Sequence, residues 1–117
     1  MKVCIAGSRM FEDEAKLIGV MDWFVQTHGQ IEQVISGAAR GADRMGEHWA
    51  RARGIPVHLE YPKWHKYSGE VAPLKRNQIM AQMADVVIIF WDGMSTDSMH
   101  MKSCADKLGK EVYVFRV

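Results

Sequence analysis

The stretch Asp85-Val86-Val87-Ile88-Ile89-Phe90-Trp91 is the most apolar run in the chain, and it shows no polar alternation. A strand with one face in water alternates; a strand covered on both faces reads as a continuous run of β-branched and aromatic residues. The run therefore predicts the central strand of a parallel sheet, closed by Asp92-Gly93. Working outward, Lys2–Ala6 reads as a strand ending in the turn Gly7-Ser8-Arg9, and Gln33–Ser36 as a strand ended by Gly37. Ile55–Leu59 and Glu111–Phe115 complete a set of about five. Between them the apolar spacing turns helical. Leu17, Ile18, Met21, Phe24 and Val25 mark one face of a helix over Asp13–His28, stopped by Gly29. Ala42, Met45, Trp49 and Ala50 mark a second helix, from near Gly41 to a stop at Gly54. Pro73 opens a third that runs to about Met83, and Met101, Cys104, Ala105 and Leu108 mark a fourth, stopped by Gly109. Glu60–Gly69 reads as a loop. Strand and helix in strict alternation imply one α/β domain over residues 1–117, three-layered, with helices on both faces of a parallel sheet.

Composition agrees. The 117 residues are 48% hydrophobic and 25% charged, the balance of a globular chain with a core. Fifteen Lys and Arg against 14 Asp and Glu give a formal net charge of +1. A general duplex-DNA binder needs a surplus of cations to displace counterions, so duplex nucleic acid is not an expected partner. Two or three local arginines still suffice for one small anion. Cys4 and Cys104 read as reduced thiols. No run approaches the roughly 18 apolar residues of a membrane span, and the opening strand is too short for a signal peptide. The expectation is a cytoplasmic protein without membrane contact.

In open parallel sheets, ligands bind beyond the carboxyl ends of the strands, near the point where strand order reverses. The residues there are Gly7, Ser8 and Arg9 after the first strand; Ser36, Gly37, Ala38, Ala39, Arg40, Gly41, Ala42 and Asp43 after the second; Asp92, Gly93, Met94, Ser95 and Thr96 after the fourth. Glycine lets a ligand approach backbone closely, and the N–H groups that open the following helix carry partial positive charge, so such loops suit an anion. Serine hydroxyls would add hydrogen bonds, and Arg9 or Arg40 would grip a phosphate bidentately. Arg76-Asn77, early in the third helix, are further candidates: Arg76 toward a phosphate or carboxylate, Asn77 toward a sugar hydroxyl or as a loop brace. Phe11 and Trp91 are candidates to flank a base. The loop Tyr61-Pro62-Lys63-Trp64-His65-Lys66-Tyr67 mixes aromatics with cations and reads equally as a base-stacking surface, a loop anchor or a subunit contact. Glycines after strands also serve merely as turns.

Several chemistries are disfavoured. Gly37-x-x-x-Gly41 is not followed by Gly-Lys-Ser/Thr, so it is no P-loop, and no G-x-G-x-x-G is present. The five histidines lack ligand-like spacing, so no metal site is expected. Ser8, Ser36 and Ser95 have no partner His that the sequence identifies. Asp43 reads as bracing its own helix start.

Several separated motifs together resemble the YspA-type branch of the SLOG superfamily, from Met1 to about Val114. They are Gly7-Ser8-Arg9 with Phe11 and Asp13; Ser36–Asp43 with Gly46-Glu47 and Trp49-Ala50; Gly54-Ile55-Pro56-Val57; Pro73 with Arg76-Asn77; and Phe90-Trp91-Asp92-Gly93. The resemblance implies a Rossmann-like domain that binds a nucleotide or nucleotide-derived ligand, needs no further cofactor, and forms a homo-oligomer, a dimer being favoured. Relatives in that superfamily include the LOG-type phosphoribohydrolases and the DNA-processing protein DprA. The chain departs from the branch's pattern twice. Ala38 stands where the second glycine of Ser-Gly-Gly-Ala-Arg-Gly-Ala-Asp is usual, and Asp97-Ser98 stands where a Gly-Thr pair commonly opens the last helix. No Glu lies between Asp92 and Lys110, where LOG enzymes place a catalytic one. The expected function is accordingly the binding or sensing of a phosphorylated nucleoside derivative. Cleavage of a nucleotide's N-glycosidic bond is the alternative, with Asp92 and Asp97 as its candidate carboxylates.

Overall fold

A computed structural model describes residues 1–117. The elements run β1 (Lys2–Gly7), α1 (Glu14–His28), β2 (Gln33–Ser36), α2 (Ala42–Ala52), β3 (Val57–Leu59), α3 (Val71–Met83), β4 (Val86–Trp91), α4 (Thr96–Lys107) and β5 (Glu111–Arg116). All five strands are parallel, in the order β3-β2-β1-β4-β5. The chain winds outward in one direction from β1 to β3, then crosses back to β4 and continues to β5. This is the Rossmann-like order, and its reversal falls between β1 and β4. The register pairs Val3 with Val86 and Gly7 with Phe90, so β1 and β4 end level with each other.

The continuous apolar run of β4 works as its composition predicts. Val86, Ile88 and Phe90 point into a core shared with Leu17, Met21 and Phe24 of α1 and with Ala42, Met45, Trp49 and Ala50 of α2. Val87 and Ile89 point the other way, into a core with Met80 and Ala81 of α3 and Met101 and Ala105 of α4. β1 splits likewise, Val3 and Ile5 to one side, Cys4 and Ala6 to the other. Each fully buried Val or Ile contributes about 1.5–3 kcal/mol, so β1 and β4 are the frame to which the loops at their ends are fixed.

Helix starts follow their local chemistry. The Asp13 carboxylate accepts from the Lys16 N–H at 3.1 Å and caps α1; the Ser95 hydroxyl accepts from the Ser98 N–H at 3.3 Å and caps α4. Pro73 sits in the first turn of α3, where its missing N–H costs nothing. The third strand is shorter than Ile55–Leu59, because Ile55 still bonds back to the Ala50 carbonyl at the end of α2. No helix is long and apolar enough to cross a membrane. Both cysteines are free, and burial pushes the Cys4 thiol far up, so it stays neutral within the core.

Candidate functional site

The strand ends after β1, β2 and β4 meet at one rim. Gly7 ends β1 at φ +155°, and a Cβ there would collide with the Phe90 carbonyl oxygen. Ser8 then acts as a knot. Its N–H donates to Phe90 O at 2.9 Å, its carbonyl accepts from the N–H groups of Phe11 and Ala42, and its hydroxyl accepts from the Asp92 N–H at 3.0 Å. Gly41, at φ +81°, packs directly on the Ser8 and Arg9 carbonyls, a place no side chain fits. The loops after β1 and β4 and the start of α2 are thus tied to one residue.

Between them lies a cleft of about 360 Å³, within the roughly 300–1,000 Å³ range of ligand pockets. It sits over the reversal between β1 and β4. Gly7 and Arg9 line it from β1, Asp43 from α2, Arg76 and Asn77 from α3, and Asp92 with the first turn of α4 from β4. Met80 and Met101 form its apolar lining, and the exposed side chains of Met10 and Met94 stand at its mouth. The methionines escape the sequence argument, since nothing in their spacing separates a rim from a core.

The polar lining is mostly engaged with itself. Arg76 is buried; its Nη1 donates to the Gly37 carbonyl at 3.1 Å and its Nη2 to Asp97 Oδ2 at 3.4 Å. Asn77 Nδ2 donates to Asp97 Oδ1 at 3.1 Å. Arg76 thus faces a carboxylate, but the protein's own, and the same pairing accommodates an aspartate where the branch commonly has Gly-Thr. Asp92 Oδ1 accepts from the N–H groups of Met94 at 2.8 Å and Ser95 at 2.9 Å, contacts that hold this carboxyl below the usual range, Met94's the larger. Asp43 behaves oppositely. Burial pushes it up to about 7, and the N–H of Ala39 and the charge of Arg76 only partly offset that. Asp43 and Glu47 are one turn apart on the buried stripe of α2, with Ser36 Oγ donating to Glu47 Oε2 at 2.6 Å. Two carboxylates at i and i+4 beside Ala42, Met45 and Ala50 are a signal the sequence offers and the spacing argument passes over.

The sequence-derived candidates divide accordingly. Gly7, Arg9, Arg76, Asn77, Asp92, Ser95, Thr96 and Asp97 line the cleft together. Gly37 and Arg40 line a second hollow beside it. The hydroxyls of Ser8, Ser36 and Ser95 face inward, holding respectively the Asp92 N–H, the Ala38 N–H and the start of α4. Gly41 packs on β1's loop, and Gly93, at φ +87°, packs on the Arg116 guanidinium. Phe11 is a correction: it is buried in the core, its ring stacked on Phe90 at 5.4 Å, so its face is not available to a base. Trp91 is held by its own indole N–H on the Ser95 carbonyl and by Arg116 over its ring. Ala38 is the only non-glycine residue with positive φ, +62°, which accounts for the glycine usual there.

A family model, the YspA, cpYpsA-related SLOG family, matches residues 1–67, more than half of the chain. The chain belongs to this SLOG family. The matched segment ends within the loop before α3, short of the Val114 to which the motifs extend. This SLOG chain is 28% identical to the Gene 61 protein of Mycobacterium phage D29 over an alignment spanning 97% of this chain and 95% of that one. Its fold is that of DNA processing protein A (DprA) from Streptococcus pneumoniae, with a TM-score of 0.76 at 21% identity. That likeness covers 97% of this chain and 49% of DprA, so the SLOG chain spans about half of its structural neighbour.

Proposed function

We propose that the chain binds a phosphorylated nucleoside derivative at the rim over β1 and β4. One observation carries the reading: a cleft at the reversal of strand order, bounded by a helix start and by carboxylates held in fixed places. In Rossmann-like sheets that is where ligands enter. The carboxylates suit hydroxyls better than phosphate. Asp92 meets its two N–H donors through Oδ1, which leaves Oδ2 for a sugar hydroxyl, and Asp97 is fixed by Arg76 and Asn77. The phosphate belongs at the edge of the cleft, with the exposed Arg9 and Arg40, which have no carboxylate partner. Family membership supports a nucleotide-related ligand.

Calorimetry with AMP and with adenosine tests this. AMP is expected to bind more tightly than adenosine, and Arg40→Ala to remove that difference. Equal heats for both, or an unchanged AMP affinity in the variant, would refute it. A single-stranded oligonucleotide belongs in the same series, because the fold neighbour DprA is a DNA processing protein.

A second reading, hydrolysis of a nucleotide's N-glycosidic bond, is favoured by Asp43 alone. Water would add at the anomeric carbon as the carbon–nitrogen bond breaks, and a carboxyl about half-protonated near pH 7 suits giving a proton to the departing base and recovering one from the added water. Asp92, held as an anion, suits the developing positive charge on the sugar. Release of free base from AMP, abolished in Asp43→Asn, would establish it. No release leaves the binding reading alone.

A further inference from the structure

Beside the cleft lies a second hollow of about 370 Å³ whose lining differs in kind. The cleft carries Asp43, Asp92 and Asp97; the hollow carries no carboxylate. Its charged residues are Arg9, Arg40 and Arg76, and its outer wall is Tyr61 and Trp64. The two spaces share Arg9, Ala39 and Arg76, so they adjoin along the same edge of the rim.

The aromatics of this wall are unusual for the molecule. Tyr61 is 59% exposed and Trp64 60%, whereas the core keeps its largest rings fully buried. Neither anchors the loop. That task falls to Tyr67, which is half-buried and lies under the ammonium groups of Lys66 and Lys75. Two exposed rings lining the same hollow as Arg9 and Arg40, which have no acid to neutralise them, match an anion attached to a flat π-system. A nucleobase next to a phosphate has that chemistry.

Building on the cleft reading above, we infer that Tyr61 and Trp64 form a base-binding subsite, and that the ligand is two-ended. Its polyhydroxylated sugar lies against the carboxylates of the cleft, its phosphate bridge crosses at Arg9 and Arg40, and its base stacks on Tyr61 and Trp64. Nucleoside diphosphate sugars have this build. It also assigns the loop before α3 a task that Phe11 and Trp91, both engaged within the fold, do not perform.

The test uses ADP-glucose and its two halves, AMP and glucose 1-phosphate, titrated calorimetrically into the wild-type chain and into a Tyr61→Leu/Trp64→Leu variant. ADP-glucose is expected to bind at least tenfold more tightly than either half. The variant should lose about five- to 150-fold toward ADP-glucose and AMP, the scale of one stacked base, and keep its affinity for glucose 1-phosphate. Unfolding midpoints within 2 °C of each other would show that the variant remains folded. An unchanged ADP-glucose affinity would overturn the subsite while glucose 1-phosphate binding upholds the cleft. If the wild-type chain is dimeric and the variant monomeric with ligand affinity unchanged, the wall is a subunit contact instead. If none of the three probes binds, both readings fail.

Discussion

Arg76 and Arg40 stand on the same rim and do opposite work. Arg76 is buried, and its guanidinium meets the Gly37 carbonyl and Asp97, joining the β2 loop to the start of α4. Arg40 is exposed, pairs with no carboxylate, and its side chain reaches only the sulfur of Met10, at 4.0 Å. The difference extends to the two spaces they border: the cleft is an internally satisfied network of acids and donors, the hollow an open set of cations and rings. A cation paired within the fold sustains shape, and a cation left unpaired at a strand end is available to a ligand. Residue type alone does not separate the two.

That contrast can be broken at several points. The largest expected effect is on Asp43. Its carboxyl titrates near 7 in the fold against 3.8 in the unfolded chain, so the native state holds a proton that the unfolded state has lost between those values. The contribution of Asp43 to stability should therefore be greatest below about pH 4, fall as pH rises toward 7, and level off above. Fully expressed, the fall amounts to about 4 kcal/mol. Asp43→Asn should lack it, so the wild-type minus variant difference from urea unfolding should decline across pH 4.5–8. Parallel curves would show Asp43 to be ionised throughout.

Arg76→Ala should follow, at about 3 kcal/mol of lost stability, because it leaves the Gly37 carbonyl and the neighbouring acids without their donor. Urea unfolding at pH 7 measures it; a loss under 1 kcal/mol would mean that the network is slack. Arg40→Ala should instead change stability by less than about 0.5 kcal/mol and weaken AMP by about 1.5–3 kcal/mol, the scale of a charge-assisted hydrogen bond. If both arginine variants lose the same stability, the division between frame and open surface is false. The smallest effect is expected at Ala38. Glycine relieves a left-handed backbone worth about 1–2 kcal/mol but adds roughly 0.4–1 kcal/mol of unfolded-chain freedom. Ala38→Gly should therefore stabilise by about 0.5 kcal/mol in the same assay.

The fold was legible because its signals are local and mutually consistent. The unbroken run of β4, the glycine stops and the helical spacing of Leu17, Met21 and Phe24 each fix one element, and strict alternation fixes the layers. The gathering of strand-end loops was legible for the same reason. What each side chain does at the rim was not. Ser8, Ser36 and Ser95 read as hydroxyls offered outward and are turned inward by bonds to backbone and to Glu47. Phe11 follows a glycine turn, as a stacking residue would, yet finds Phe90 across the core. The Ser8, Phe11 and Glu47 contacts join residues 11 to 84 positions apart in the chain, beyond the reach of periodicity, whereas Ser95 caps an N–H only three residues on. Asp43 and Glu47 were nearer to being read, since their one-turn spacing sets them on the helix face that Ala42 and Ala50 declare to be inside.

The knot at Ser8 has a thermodynamic corollary. With one residue binding three segments, the floor of the rim is assembled before anything arrives, and a guest need not wait for it to order. The entropic penalty of capture then falls on the exposed side chains, on Arg9 and Arg40 and on the four less polar ones, Met10, Met94, Tyr61 and Trp64. Selectivity in this molecule should consequently evolve at its doorway, by exchange of those four, while the floor stays as it is.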